Sequence, residues 1–112
     1  MVDIETIKPE IIKRLKPLNP DKVILFGSYA YGTPSEDSDI DLFLIKNDLD
    51  KNSFREYTLK ARKLLREVLF NYDTNGIDII SASSKYLEER EDYFYKVDIL
   101  KNGKVLYERN SK

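Results

Sequence analysis

Two short apolar runs, residues 23–26 and 42–45, constrain the fold of this chain most. Both consist of β-branched or other bulky apolar residues, and polar residues or glycine adjoin them, which is typical of buried strands. Neither run is long enough to span a bilayer. We therefore predict one strand over Lys22–Phe26, ending at Gly27, and a second strand over residues 39–45.

The other elements follow from periodicity and turn residues. Apolar residues recur at helical spacing from Ile4 to Leu15, but Pro9 would interrupt a helix that began at the first of them. We therefore expect that helix to begin near Lys8, with Pro9 in its first turn, and to end before Pro17. The remaining predictions are a helical turn within residues 27–38, a helix over 52–72, a strand over 77–81, a helix over 84–100 and a strand over 105–107.

These elements predict an α+β fold in which a small mixed sheet is flanked by helices, in the order α-β-α-β-α-β-α-β. A length of 112 residues suits one domain over 1–112. The 19 basic and 20 acidic residues give a net charge of −1, so we expect no direct nucleic-acid binding and no membrane attachment. The beginning of the chain lacks the form of a signal peptide, which makes the cytoplasm the expected location.

The absence of two residue types limits the chemistry. The chain contains no cysteine and no histidine. Thiolate nucleophiles, zinc–thiolate sites and imidazole bases are therefore excluded. Any catalysis must use carboxylates, hydroxyls, lysines or a bound metal.

The segment between the first two strands carries the chemistry. The first strand ends in Gly27-Ser28 and turns into a helical segment, which presents backbone N–H groups suited to phosphate oxygens. Asp39 and Asp41 lie two residues apart, so along a strand both carboxylates point the same way and can bind Mg²⁺. Asp78 is an acid within an otherwise apolar strand, where a metal ion would stabilise it.

Each of these features has a simpler interpretation when taken alone. Asp-x-Asp also caps turns, and Asp78 could be an ordinary acid at a strand edge. A calcium loop beginning at Asp37 is not expected, because Leu42 and Asp48 occupy the positions that require glycine and glutamate. The coincidence of Gly27-Ser28, Asp-x-Asp and Asp78 is what makes the pattern specific.

Together these residues resemble the signature of the nucleotidyltransferase superfamily, which has the polymerase-beta-like fold. The short loop, the Ser-Asp-x-Asp form and the chain length are most similar to the minimal (MNT-type) group, whose members are commonly antitoxins of HEPN-domain toxins. The resemblance implies that Gly27 and Ser28 hold the β- and γ-phosphates of ATP. It implies that Asp39, Asp41 and Asp78 bind Mg²⁺, two ions in all, and that Asp78 activates the incoming hydroxyl.

One position departs from the family pattern. The residue before Gly32 is frequently arginine in this family, and here it is Tyr31. Tyrosine offers a hydroxyl donor but neither a permanent charge nor a bidentate fork. Nucleotide affinity or partner choice is therefore expected to differ here, whereas the three aspartates are intact.

The resemblance implies an antitoxin that transfers AMP from Mg-ATP to a protein hydroxyl, a tyrosine of a cognate HEPN toxin. One alternative is a non-catalytic antitoxin that neutralises the toxin by binding it. Another is a small-molecule nucleotidyltransferase of the aminoglycoside type, for which the chain has no room for a second substrate domain.

Two surface features stay open at this point. A basic cluster on the long helix is more consistent with a solvated face than with nucleic-acid contact. Three tyrosines of the last long helix could equally pack in the core or form an interface. These seven residues are Lys60, Arg62, Lys63 and Arg66 in the basic cluster, and Tyr86, Tyr93 and Tyr95 among the tyrosines.

Overall fold

A computed structural model describes residues 3–35, 37–72, 76–90, 97, 99 and 101–109. The helices are α1 (Ile4–Leu15), α2 (Ser28–Tyr31), α3 (Phe54–Asn71) and α4 (Ser84–Glu89), and the strands are β1 (Lys22–Phe26), β2 (Ile40–Ile45), β3 (Ile77–Ala82) and β4 (Lys104–Glu108). Short 3₁₀ turns at Lys16–Leu18 and Lys51–Ser53 follow α1 and precede α3. The predicted α+β class and order of elements are confirmed.

The four strands form one mixed sheet in the order β3-β2-β1-β4. The central strand β1 is antiparallel to both β2 and β4, whereas β2 and β3 are parallel. The parallel pairing requires a crossover, and α3 provides it. The sheet therefore places β2, which carries the Asp-x-Asp motif, between β1 and the strand of the third aspartate.

Both faces of the sheet are covered. One face packs against α1 and α3, and the other contacts Leu87 of α4. Strands buried on both sides are apolar without interruption, which explains the two runs that dominate the sequence. Because successive side chains alternate between faces, Asp41 lies on the same face as Phe43 and Ile45. The first face is lined by Val23, Leu25, Leu42, Leu44 and Ile79, and the second by Ile24, Phe26, Phe43, Ile45 and Ala82.

The prediction for the start of the first helix is wrong. The helix α1 begins at Ile4, because the Asp3 carboxylate caps it by accepting hydrogen bonds from the Glu5 N–H at 3.2 Å and the Thr6 hydroxyl at 3.1 Å. Pro9 lies inside the helix, where it removes one backbone hydrogen bond and its ring crowds the carbonyl of the preceding turn. The fully buried apolar stripe of α1 offsets that loss, and it consists of Ile7, Ile11 and Leu15.

The predicted helix over residues 84–100 is wrong in being continuous, although Val97 and Ile99, the two described residues of its second half, are π-helical. Helix α4 ends at Glu89, because Arg90 adopts an extended conformation with φ −86° and ψ 139°. Glu88 and Glu89 stand at the end of the helix where its dipole disfavours negative charge, which favours termination there. Tyr93 and Tyr95 lie outside the described residues, as do the other residues of the ranges 91–96, 98 and 100.

Smaller boundary differences affect the strands. Asp39 precedes β2 by one residue instead of beginning it, and β3 continues one residue further than predicted, to Ala82. Among the described helices, none combines the length and the apolar character needed to cross a membrane.

Candidate active site

Asp41 and Asp78 meet on adjacent strands. They are paired residues in the parallel register of β2 and β3, so their Cα atoms are separated by about one strand spacing, roughly 4.8 Å. Paired residues of parallel strands project to the same face of the sheet. The structure therefore brings together two carboxylates that are 37 residues apart in the sequence.

Asp39 joins this pair through the segment that leads into β3. A Cβ atom at Gly76 would lie 3.0 Å from Asp39 Oδ1, and the Ile40 N–H donates a 2.9 Å hydrogen bond to the Gly76 carbonyl. The approach is close because Gly76 has no side chain. In the sequence, the Asn75-Gly76 pair indicates only a turn before the third strand. The position of Gly76 two residues before Asp78 was the available signal.

Gly27 packs directly against the central acid. Its backbone has φ 75° and ψ −159°, a conformation that essentially only glycine adopts. A Cβ atom at this position would lie 2.2 Å from Asp41 Oδ2. The turn after β1 and the carboxylate on β2 are therefore in contact, as expected if one ligand touches both.

Ser28 begins the single helical turn α2. The Gly27 carbonyl accepts hydrogen bonds from the N–H groups of Ala30 and Tyr31, at 3.0 and 3.1 Å, and Gly32 ends the turn with φ 76°. Ser28 is half-buried and directly follows Gly27, the residue at which the backbone leaves β1 beside Asp41. Its predicted role as a phosphate-binding residue stays a prediction.

Negative charge accumulates at Asp41. Partial burial, together with the neighbouring charges of Asp78 and Asp39, raises the pKa of the Asp41 carboxyl from 3.8 to about 6. Within the described ranges, no lysine or arginine forms an ion pair with any of these three acids. A cluster of this kind is stabilised by a cation.

The donor set fits Mg²⁺. The available ligands are carboxylate oxygens, which hard divalent cations prefer. No three acidic side chains in the described part of the chain already surround one point. The carboxylates that would hold the ion are those of the partly buried Asp41 and the exposed Asp39 and Asp78.

The raised pKa of Asp41 predicts a pH-dependent stability of the metal-free protein. Because the carboxyl has a pKa of about 6 in the folded protein and 3.8 in the unfolded chain, the folded state binds more protons between these values. Stability should therefore fall as the pH rises from about 4 to about 6. Solvent screening of this partly exposed group reduces the effect to about 1 kcal/mol.

The measurement is the Tm of wild type and Asp41→Asn in EDTA across this pH range. The Tm of the variant should exceed that of wild type by about 5 °C at pH 7.5, and the difference should vanish near pH 4. A difference that stays constant with pH would contradict the charge repulsion described above.

The structure shows the surroundings of three residues singled out in the sequence: Tyr31, Tyr86 and Lys60. Tyr31 is 48% exposed. Tyr86 is partly buried and packs edge-to-face on Phe54, with ring centroids 5.2 Å apart, so it contributes to packing within the chain. Lys60 pairs with Glu56 at 3.3 Å, as expected of a solvated helix face.

Comparison with known proteins defines the class. The polymerase beta nucleotidyltransferase family matches this chain over residues 9–112. The chain therefore belongs to that family and is a nucleotidyltransferase. The resemblance seen in residues 27–41 and Asp78 is confirmed at this level.

Individual proteins within this class are also similar to this chain. Two proteins of Methanocaldococcus jannaschii, both provisionally named protein adenylyltransferases, are similar to this chain. One is 32% identical over 117 residues, covering 96% of this chain and 74% of that protein. The other is 35% identical over 86 residues, covering 77% of each. A crystal structure of a toxin–antitoxin with AMP-PNP is 27% identical with a TM-score of 0.53, covering 92% of this chain and 74% of that one.

Proposed function

We propose that this nucleotidyltransferase transfers AMP from Mg-ATP to a hydroxyl group of a partner protein and thereby acts as an antitoxin. The observation that carries the proposal is the contact between the Gly27 turn and Asp41, with Asp78 in register beside it. A phosphate-binding turn adjoining clustered carboxylates suits a metal-bound triphosphate.

The proposed roles follow from position. The Gly27-Ser28 turn binds the β- and γ-phosphates, with the backbone approaching closely because Gly27 has no side chain. Asp39, Asp41 and Asp78 would hold Mg²⁺, which when bound neutralises the phosphate charge. The carboxylate of Asp78, on the edge strand and exposed, is positioned to accept the proton of an incoming hydroxyl.

The reaction is a substitution at the α-phosphorus. The acceptor oxygen forms a bond to that phosphorus, and the bond between the α-phosphorus and the bridging oxygen to the β-phosphate breaks. Pyrophosphate leaves, and the hydroxyl proton passes to the carboxylate. The protein contributes positioning and electrostatic stabilisation, as is general for phosphoryl and nucleotidyl transfer.

The comparisons support a protein hydroxyl as the acceptor of AMP. Similarity to proteins provisionally named protein adenylyltransferases favours a protein hydroxyl over a small molecule. Similarity to a toxin–antitoxin with AMP-PNP supports an adenine nucleotide and a toxin as partner. We propose a tyrosine of a HEPN-domain toxin as the acceptor.

The test is incubation with α-labelled ATP, Mg²⁺ and the product of the neighbouring gene. Label should appear on the partner with wild type and be absent with Asp39→Ala and Asp41→Ala. Mass spectrometry of the labelled partner should then locate AMP on a tyrosine. Label on another side chain would overturn the acceptor residue but not the transfer.

A pull-down with the same variants separates transfer from masking. If wild type leaves the partner unlabelled while both variants bind and neutralise it fully, the chain is a stoichiometric inhibitor and the proposed transfer is wrong.

A further inference from the structure

A groove runs along the outer edge of β3, beside the candidate active site. Two adjoining hollows of about 360 Å³ each lie between α3 and this strand, and they share Arg62 and Ile79. Asp78 lines one end of the groove, and Ser81 lines the other. The groove therefore leads directly to the acid proposed to accept the hydroxyl proton.

The wall on the α3 side is a regular stripe of exposed side chains. Its members are spaced four, three, four and three residues apart, which places them on one face of the helix. The stripe combines three cationic and two apolar side chains. It consists of Arg55, Leu59, Arg62, Arg66 and Leu69, all exposed.

The three arginines of this stripe are available for a ligand. Within the residues that the structure covers, none of them forms an ion pair or a hydrogen bond. The neighbouring charges of α3 are used elsewhere, since Glu56 pairs with Lys60 and Glu67 pairs with Arg14. Three unpaired guanidinium groups along one groove favour an acidic occupant.

The opposite wall is an edge strand with outward-facing backbone groups. The carbonyls of Gly76 and Ala82 point towards β2, since they accept hydrogen bonds from Ile40 and Lys46 at 2.9 and 3.0 Å. Backbone groups alternate sides along a strand. Those of Ile77, Ile79 and Ser81 therefore point away from β2, towards the open edge of the sheet. No described strand pairs with that side of β3.

We infer that this groove binds an extended acidic segment of the acceptor protein, which adds to β3 as a fifth strand. The inference rests on the proposed function, because it concerns how the acceptor reaches the site. Backbone groups of the segment would pair with those of β3, while its acidic side chains contact the arginines. A nucleic acid would use the arginines but not the strand edge, so the pairing surface favours a polypeptide.

The geometry also constrains the segment. Arg62 and Arg66 are separated by about 6 Å along the helix, close to the roughly 6.6 Å between alternate residues of a strand. Acidic residues two apart would therefore face the arginines. Residues between them project to the other face, where Asp78 and Asp41 lie. The residue that carries the acceptor hydroxyl is therefore expected an odd number of positions along the segment from the segment's own acidic residues.

The test uses a fluorescent synthetic peptide, Glu-Val-Glu-Tyr-Glu-Val, and measures binding by anisotropy. The double variant R62E/R66E should weaken binding at least about tenfold. The matched control K60E/K63E carries the same charge change on exposed positions of the same helix and should change binding less than about twofold. Equal losses in both variants would overturn the groove as the docking site.

Two further measurements test the nature of the ligand. N-methylation of one alternate set of peptide nitrogens should abolish binding, and methylation of the other set should preserve it. Equal effects of the two sets would overturn strand addition. Tighter binding of a lysine-containing peptide or of an oligothymidylate would overturn the acidic polypeptide as occupant.

Labelling of the partner protein distinguishes this inference from the proposed function. A partner labelled equally well by wild type and R62E/R66E overturns the groove and leaves the transfer reaction standing. Specific peptide binding without any labelled product supports the groove and overturns the proposed transfer.

Discussion

Replacing Asp41 with asparagine is expected to reduce AMP transfer by about 10³-fold, or roughly 4 kcal/mol of transition-state stabilisation. Asp41 lies against Gly27 of the turn after β1 and is paired in register with Asp78, so its charge lies at the centre of the candidate site. Asparagine preserves size but not the negative charge that would hold a divalent cation. The measurement is the initial rate of label transfer from ATP at saturating Mg²⁺.

The matched control is Asp37→Asn. Asp37 is exposed and lies four residues before Asp41, in the segment that leads into β2, but it is not among the acids whose charges raise the pKa of Asp41. Its replacement should change the rate less than about twofold. If both variants were equally slow, loss of transfer would reflect the net charge of the segment and not the position of Asp41.

Gly27→Ala is expected to cause the second large effect, because it meets two independent obstacles. Alanine is strained at φ 75° and ψ −159°, which costs about 1–3 kcal/mol. Its methyl group would also fall 2.2 Å from Asp41 Oδ2 and displace that carboxylate. We expect the Tm to fall by at least about 5 °C and transfer to fall by at least about 10²-fold, measured well below the Tm.

Gly32→Ala separates these two obstacles. Gly32 also has a positive φ, of 76°, but a Cβ atom there would have no neighbour within 4 Å. The variant should lose about 1 kcal/mol of stability and keep its transfer rate within about threefold. An equal loss of activity in both variants would mean that backbone strain, and not the contact with Asp41, explains the Gly27 result.

Much of the fold could be predicted from local patterns. The apolar runs at residues 23–26 and 42–45 predicted strands because burial on both faces removes polar alternation. The helix predicted over residues 52–72 was close to α3, because a long amphipathic stripe is unambiguous. Helix ends were less predictable. The Asp3 cap overrode Pro9, and Arg90 ended α4 well before the predicted residue 100.

The site divides in the same way. Gly27, Ser28, Asp39 and Asp41 could be predicted as candidate site residues from their spacing, because they lie within one short segment. Gly76 was missed, because its importance comes from its closeness to Asp39, where the segments that lead into β2 and β3 lie side by side. The different surroundings of the basic residues of α3 also could not be predicted from the sequence. In the structure Lys60 pairs with Glu56, whereas Arg62 lines the groove.

The sequence by itself determined which groups are available for chemistry: carboxylates and a glycine turn are present, and histidine and cysteine are absent. Only the tertiary structure decided how these residues meet. The parallel pairing of β2 with β3 brings Asp78 beside Asp41, and the absence of a side chain at Gly27 lets the turn reach the same carboxylate. The physical reason is that spacing along the chain specifies local direction, whereas strand order and register specify which distant side chains share one face of a sheet.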